Sequence, residues 1–532
     1  MKPGLHESIE RWLLMPATKE EHRLEIPIPN TLRQLKPTHA HSGDKPAGHQ
    51  LAEPTYNTKL IKSSTLLFHL TLLSSIVFSD CDTLTHLLKA SLGSGILSMP
   101  LAFKNTGVAL GVFCTILVAV VCTHCCYIIV KCAHVLYYKT RVPAMSFADV
   151  GESAFANGPP WGRKFAKVAR IAIQLGLFSA YFGTCSVYTV LIGTNFEQVV
   201  EYYFDVQLDL RVYIIALLLP LILLSWVPNL KSLAPVSMVA NLFMGLGLGI
   251  TIYYLVQDMP SPREQPQFNI VGIPAFFSIC IFAMEAIGVI MPLENSMTHP
   301  QHFTGLCGVL NQGMSGVTLI YILMGFLGYV KYGDATADSI TLNLPTEEWL
   351  AQSVKVLVGL AVFCTYGLQY YVCLDIVWSG LKDRYSKNAR LAEYVVRTAL
   401  TAIAVFLAVA VPSIGPFIGL IGAFCFSLLG LIIPILIEII TYWDIGFGPC
   451  NWVIYKNILV FIFGLFALVF GSYTSIRDIV TLYSPSDNMN STIGANTTEM
   501  LELLENTLTP LNTSEIINNT LAAVTNLTDS FS

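Results

Sequence analysis

Long apolar runs separated by short polar stretches fill the chain from residue 83 to residue 473. They span 83–105, 108–137, 168–199, 212–227, 235–256, 271–297, 306–330, 350–381, 394–411, 414–440 and 453–473. A helix crosses a bilayer with roughly 20 apolar residues, and most of these runs reach that length. Backbone groups inside hydrocarbon must bond within their own segment, so each run is predicted to be a helix. The fold class that follows is an all-α membrane protein with eleven transmembrane helices, over 82–480. Ahead of it, 1–63 is polar and aperiodic, and reads as a mostly disordered cytosolic leader with helix expected only near 8–14. Glu7, Glu10 and Arg11 do not suit the start of a signal peptide. The stretch 64–81, around the apolar run 63–79, is ambiguous: a short extra span, an interfacial helix or an insertion. Residues 481–532 form a polar tail.

Composition agrees with the pattern. The chain is 54% hydrophobic and 12% charged, against about 25% charged in a soluble domain. The net charge of -5 and the lack of a Lys/Arg block exclude nucleic acid as a partner and leave the lipid bilayer. Most of the 13 cysteines sit inside apolar runs as small hydrophobes. Cys122, His124, Cys125 and Cys126 look like metal ligands, but no second cluster completes a zinc site, so packing is the reading. No metal, cofactor or catalytic constellation is expected, and the chain is read as a carrier rather than an enzyme.

Two tallies set the orientation. With a cytosolic amino terminus, inner loops hold Lys139, Arg141, Arg163, Lys164, Lys231, Lys382, Arg384, Lys387 and Arg390, whereas outer loops hold Lys104, Arg263 and Lys331 with several acids. Acceptors of the form Asn-x-Ser/Thr occur at Asn490, Asn496, Asn512, Asn518 and Asn526, all in the tail, which places the carboxyl terminus outside or in a lumen. A cytosolic start and an external end require an odd number of spans, and this argues against a crossing at 63–79.

The first and sixth runs carry GSGILSMPL (93–101) and EAIGVIMPL (285–293). Glycine and proline inside an apolar run interrupt a helix, and unwound backbone at membrane depth persists where it lines a cavity. Interruptions at matching positions of two halves point to a transporter's binding site. The halves would be helices 1–5 and 6–10, a 5+5 inverted repeat with helix 11 peripheral. Freed amides at Gly93, Ser94 and Gly95 can hold a carboxylate, and freed carbonyls at Phe282, Ala283 and Met284, near Gly288, can accept from an ammonium. A zwitterionic amino acid suits such a site. Tyr181, Tyr188, Thr365 and Tyr366 offer hydroxyls at mid-depth. His86, two turns before the first break, and Glu285, in the second, are candidate proton-coupling groups. Lys89 is either the partner of Glu285 or a snorkelling lysine, and Asp375 and Glu438 are expected near cytosolic helix ends.

The run HLLKASLGSGILSMPLAFKNTG (86–107) resembles the first helix of the proton-coupled amino acid transporters, in the amino acid/auxin permease group of the amino acid–polyamine–organocation superfamily. FAMEAIGVIMPLEN (282–295), GYVKYGDATADSITLNLP (328–345) and CTYGLQYYV (364–372) extend the resemblance over roughly 82–444. It implies proton-driven movement of small neutral amino acids at a plasma or lysosomal membrane. It also puts the family's proton-linked histidine on His86, its glycine break on Gly93–Gly95 and its acidic residue on Glu285. An amino-acid sensor with little transport is the alternative. Two departures stand out: Met284-Glu285-Ala286 replaces the usual Phe-Glu-Gly, and Thr346, Glu347 and Glu348 follow Pro345 where some relatives carry a cysteine to pair with that at Cys185. No disulfide is expected.

Overall fold

A computed structural model describes residues 79–483, except 143, 228–229 and 383–388. The leader 1–63, the apolar stretch up to residue 78 and the tail with Asn490, Asn496, Asn512, Asn518 and Asn526 lie outside the described residues. The chain divides into units Met1–Ile476 and Arg477–Ser532, and the second is described only as the end of the last helix.

The described residues form helices and no β-strand. The first apolar run is α1 (Asp80–Ser91), a 3-10 turn (Ser94–Ser98) and α2 (Met99–Thr106). There follow α3 (Val108–Thr140), the short α4 (Phe147–Ala156), α5 (Ala166–Phe204), α6 (Leu210–Ala216), α7 (Leu218–Ser225) and α8 (Leu230–Val256). The sixth run is α9 (Ile273–Ala283) and α10 (Ile287–Asn295), and it leads to α11 (Val309–Tyr332), α12 (Trp349–Leu381) and α13 (Ala389–Ala410). The tenth comprises α14 (Ile414–Leu420), a π-helical stretch (Ile421–Ile432) and α15 (Ile433–Tyr442). The last comprises α16 (Trp452–Phe466), a π turn (Ala467–Gly471) and α17 (Ser472–Tyr483).

By length and hydropathy nine described helices can cross a membrane. The two predicted spans outside that set are built from shorter pieces. Run 83–105 is the broken α1/α2, and run 212–227 is split into α6 and α7. Pro220 explains the split, because its ring opposes the carbonyl four residues back, at Ala216, where α6 ends. Long apolar side chains on the helix exteriors stay open, among them Phe113 (65% exposed), Phe406 (73%) and Leu459 (70%), which is the face a lipid solvent takes.

Local chemistry sets the helix starts. Ser79 and Asp82 cap α1 reciprocally, Asp80 and Asp82 lie at its positive end and Lys89 at its negative end. Ser146 and Asp149 do the same for α4. Between α2 and α3 the chain turns at Gly107 (φ 86°), where a Cβ would lie 2.6 Å from the Pro266 carbonyl oxygen, so only glycine fits. Small residues also close the centre. The Phe103 ring is wedged against Gly111 of α3 and Gly325 of α11, drawing both helices onto α2. Helix α12 packs along α5 and α8, and the π stretch of the tenth helix packs along α9.

Candidate functional site: two opposed helix breaks

The first break runs from Leu92 through the 3-10 turn. Tyr321 of α11 donates its hydroxyl proton towards the Ser91 carbonyl, 2.5 Å away, where α1 ends. The amides of Ser94 and Gly95 open the 3-10 turn, ahead of the first residue that can bond back into its ladder. Gly93 is extended (φ -87°, ψ -163°), so its conformation suits any residue and its value lies in space. A Cβ at Gly93 would meet only the Tyr188 hydroxyl, at 3.9 Å. Gly95 is the opposite case: a Cβ there would lie 2.6 Å from Ala283 Cα. Gly95 and Ala283 are where the two broken helices touch.

The second break covers Met284 to Ala286, between α9 and α10. The Ala283 carbonyl lies 2.8 Å from the same Tyr321 hydroxyl. One phenolic proton satisfies one carbonyl at a time, so the other remains an acceptor for a ligand's ammonium. Glu285 folds back over the start of α10 and accepts from the Gly288 amide at 3.3 Å, a carboxylate at the positive end of a half-helix. That end of α10 is already filled by its own side chain, which leaves the amides at Gly93–Gly95 as the place for a ligand carboxylate.

Glu285 faces the tenth helix. A Cβ at Gly430, in the π stretch, would lie 3.2 Å from Glu285 Oε2. A small cavity of about 10 Å³ adjoins the carboxylate, bordered by Cys122 and Cys126 of α3, Met284 and Gly430, room for a single water at most. Lys89 forms no ion pair with Glu285. A larger cavity of about 400 Å³ opens elsewhere, beside the start of α1, where Asp80, Leu84, His302 and Gln312 line it. It does not include the breaks.

The other sequence candidates are distributed as follows. Phe282 is buried against Phe426 of the π stretch, with ring centroids 5.8 Å apart. The Tyr181 hydroxyl packs directly on Gly288. Thr365 spends its hydroxyl on the Ala361 carbonyl of its own helix, at 2.8 Å. Tyr366 is buried and stacked on Tyr370, whose own hydroxyl bonds the Arg397 carbonyl at 2.6 Å. Those two rings therefore tie α12 to α13. His86 is half-buried on α1, one turn from Asp82 and from Lys89. Glu438 lies one turn from the end of α15, where it is 3% exposed and paired with Lys456 of α16 at 2.8 Å. The thirteen cysteines are free. Tyr321 escaped sequence reasoning because nothing in α11 marks it, whereas Tyr188 was one hydroxyl among several.

Broken helices facing each other across a central seam define a membrane carrier, and comparison with known proteins agrees. The chain belongs to the transmembrane amino acid transporter protein family, whose profile matches residues 79–477. It is 60% identical over 411 residues, 77% of this chain and 87% of the relative, to the proton-coupled amino acid transporter-like protein pathetic of Drosophila melanogaster. It is 27% identical over 420 residues, 75% of this chain and 92% of the relative, to amino acid transporter ANT1 of Arabidopsis thaliana. Among solved structures it is similar to MhsT in complex with L-phenylalanine, with a TM-score of 0.39, 12% identity, and 75% and 97% of the two chains covered. The protein is thus an integral membrane amino acid transporter and not an enzyme, and the resemblance to the proton-coupled branch is borne out.

Proposed function

We propose that this transporter moves small neutral amino acids in symport with protons, by alternating access around the seam between the two breaks. The observation that carries the reading is the contrast at Gly93 and Gly95: open space above one, direct contact with Ala283 below the other. The substrate carboxylate would sit on the amides of Gly93, Ser94 and Gly95, and its ammonium would reach whichever of the Ser91 and Ala283 carbonyls Tyr321 leaves free. The Tyr188 hydroxyl, above Gly93, would bound the side-chain pocket and favour small substrates. Glu285 and His86 are the groups proposed to carry the proton. A lone carboxylate against a water-sized cavity gains from taking up a proton when the site closes.

In this reading the broken α1/α2 and the split α6/α7 complete eleven spans, arranged as an inverted 5+5 repeat. The amino terminus is cytosolic and the glycosylated tail is extracellular or lumenal, at the plasma or lysosomal membrane. Uptake of a panel of labelled amino acids into proteoliposomes, with and without an imposed pH gradient, tests it. Small neutral amino acids should accumulate when the outside is acid. Accumulation independent of the gradient would remove the proton, and preference for large or charged substrates would remove the pocket.

A further inference from the structure

The chain enters α5 through a 3-10 turn (Arg163–Phe165), 16 residues or roughly 24 Å of helix before Tyr181 reaches the second break. Phe165, Val168, Ile171 and Leu175 follow at spacings of three and four, so they share one face, and all four are exposed. On a membrane helix such a face meets lipid. Trp161 stands just ahead of it, 54% exposed and edge-on to Trp443 beyond the end of α15, with ring centroids 5.6 Å apart. Phe447 meets Trp443 in the same edgewise manner at 6.1 Å. Indoles gather at the level of the lipid headgroups, so this aromatic shelf marks where the hydrocarbon ends.

Three cations stand at that level. Lys164 is four residues before Val168 and shares the apolar face, and Lys167 neighbours it three residues on; both are exposed. Arg163 donates from Nε to the Gly158 carbonyl at 3.2 Å, which leaves four guanidinium N–H groups for a further acceptor. Gly158 is itself fixed, since a Cβ there would lie 2.6 Å from Ile440 Cγ2 of α15. Asp149 and Glu152 of α4 both pair with Arg170, at 3.0 and 2.6 Å. Asp444, after Trp443, is exposed and bounds the basic patch on that side. Among the described residues no carboxylate pairs with Arg163, Lys164 or Lys167. Unmatched positive charge at headgroup depth, beside an open apolar face, fits a phosphate attached to acyl chains.

We infer that this corner binds an anionic phospholipid. Arg163, Lys164 and Lys167 hold its phosphate and headgroup, and its acyl chains lie along Val168, Ile171 and Leu175. In the orientation proposed above the corner faces the cytosolic leaflet, where anionic lipids collect. Binding itself depends on neither that orientation nor transport. Because α5 carries Tyr181 to Gly288 and Tyr188 to Gly93, a lipid seated at its entry acts on the helix that borders both breaks.

Native mass spectrometry of the purified full chain, released from neutral detergent micelles, tests this by titrating phosphatidylserine against phosphatidylcholine with the same acyl chains. The wild type should bind one phosphatidylserine at least about tenfold more tightly than phosphatidylcholine. In the triple variant Arg163→Gln, Lys164→Gln, Lys167→Gln that preference should fall to near parity. Raising ammonium acetate from ~0.1 to ~0.5 M should weaken the wild type's hold on phosphatidylserine several-fold and leave phosphatidylcholine unchanged. Glycerophosphoserine, the same headgroup without chains, should not compete at equal concentration. If it competes as well as the lipid, the site is a phosphate pocket and the lipid assignment is overturned. Equal affinity for the two lipids in the wild type, or a preference that survives the triple substitution, overturns it too and leaves the cations only to orient the chain in the membrane. Should the triple variant melt well below the wild type in phosphatidylcholine micelles, it has misfolded, and the salt and headgroup arms on the wild type decide. Uptake speaks separately: loss of pH-driven uptake in the wild type would count against the proposed function and leave the lipid-binding data untouched.

Discussion

Gly93 and Gly95 stand two residues apart and do different things. Around Gly93 a new methyl meets one hydroxyl at 3.9 Å, so alanine or valine there should fold. Its side chain would project into the space over the freed amides. Gly93→Val should keep the wild-type melting temperature yet lose amino-acid binding at least about tenfold, as isothermal titration would read. Gly95→Ala forces a methyl against Ala283 backbone and should cost about 1–3 kcal/mol of stability, with transport falling alongside. Tyr321→Phe leaves both the Ser91 and Ala283 carbonyls without their donor. About 1–3 kcal/mol of lost site order should appear as a rise of roughly 5- to 150-fold in KM. His86 speaks to pH, since an imidazole changes charge near neutrality. His86→Ala should transport at a rate that no longer rises as the outer solution is acidified. Retained acid activation would place the proton elsewhere, with Glu285 the next group to replace.

At the scale of elements, both interruptions were legible in the sequence as glycine and proline inside an apolar run. Both segments end in Met-Pro-Leu, yet the two prolines sit in different places. Pro100 sits in the first turn of α2, where a missing amide costs nothing, whereas Pro292 lies inside α10, six residues beyond the break. What marks the start of α10 is Glu285, whose carboxylate reaches forward to accept from the Gly288 amide. That cap is a side-chain orientation, and periodicity carries no trace of it. Pro292→Ala should therefore leave the second break in place and change binding little, while Glu285→Ala should loosen the start of α10 by about 1 kcal/mol. The Pro220 split of the fourth run was legible in principle from the ring's clash with residue 216. The apolar run concealed it, because hydropathy counts side chains and not amides. The π stretch at 421–432 had no sequence signal at all, although Gly422 and Gly430 are the points at which it meets α9 and Glu285.

For the whole molecule, a chain with 54% hydrophobic residues could only be read as a membrane protein. Which helices touch was beyond reach, since every face of a buried helix is apolar and the pattern that orients a soluble helix is lost. Tyr321 bridging both breaks, and His134 meeting Glu294 across 160 residues of chain, are products of that hidden packing. Orientation is testable on intact cells. Glycosidase treatment should sharpen and lower the protein's band, and replacing Asn490, Asn496, Asn512, Asn518 and Asn526 together should abolish that shift; an unmodified tail would undo the assigned sidedness.

The central claim is that peptide groups exposed at two opposed breaks hold the amino acid. Density for the protein reconstituted in nanodiscs and saturated with a small neutral amino acid tests it most directly. The account requires a compact feature beneath Tyr188, its carboxylate end on Gly93–Gly95 and its amino end at the Ser91 or Ala283 carbonyl. Ligand density in the crevice beside Asp80 and His302 instead, with the seam between the breaks empty, would contradict it.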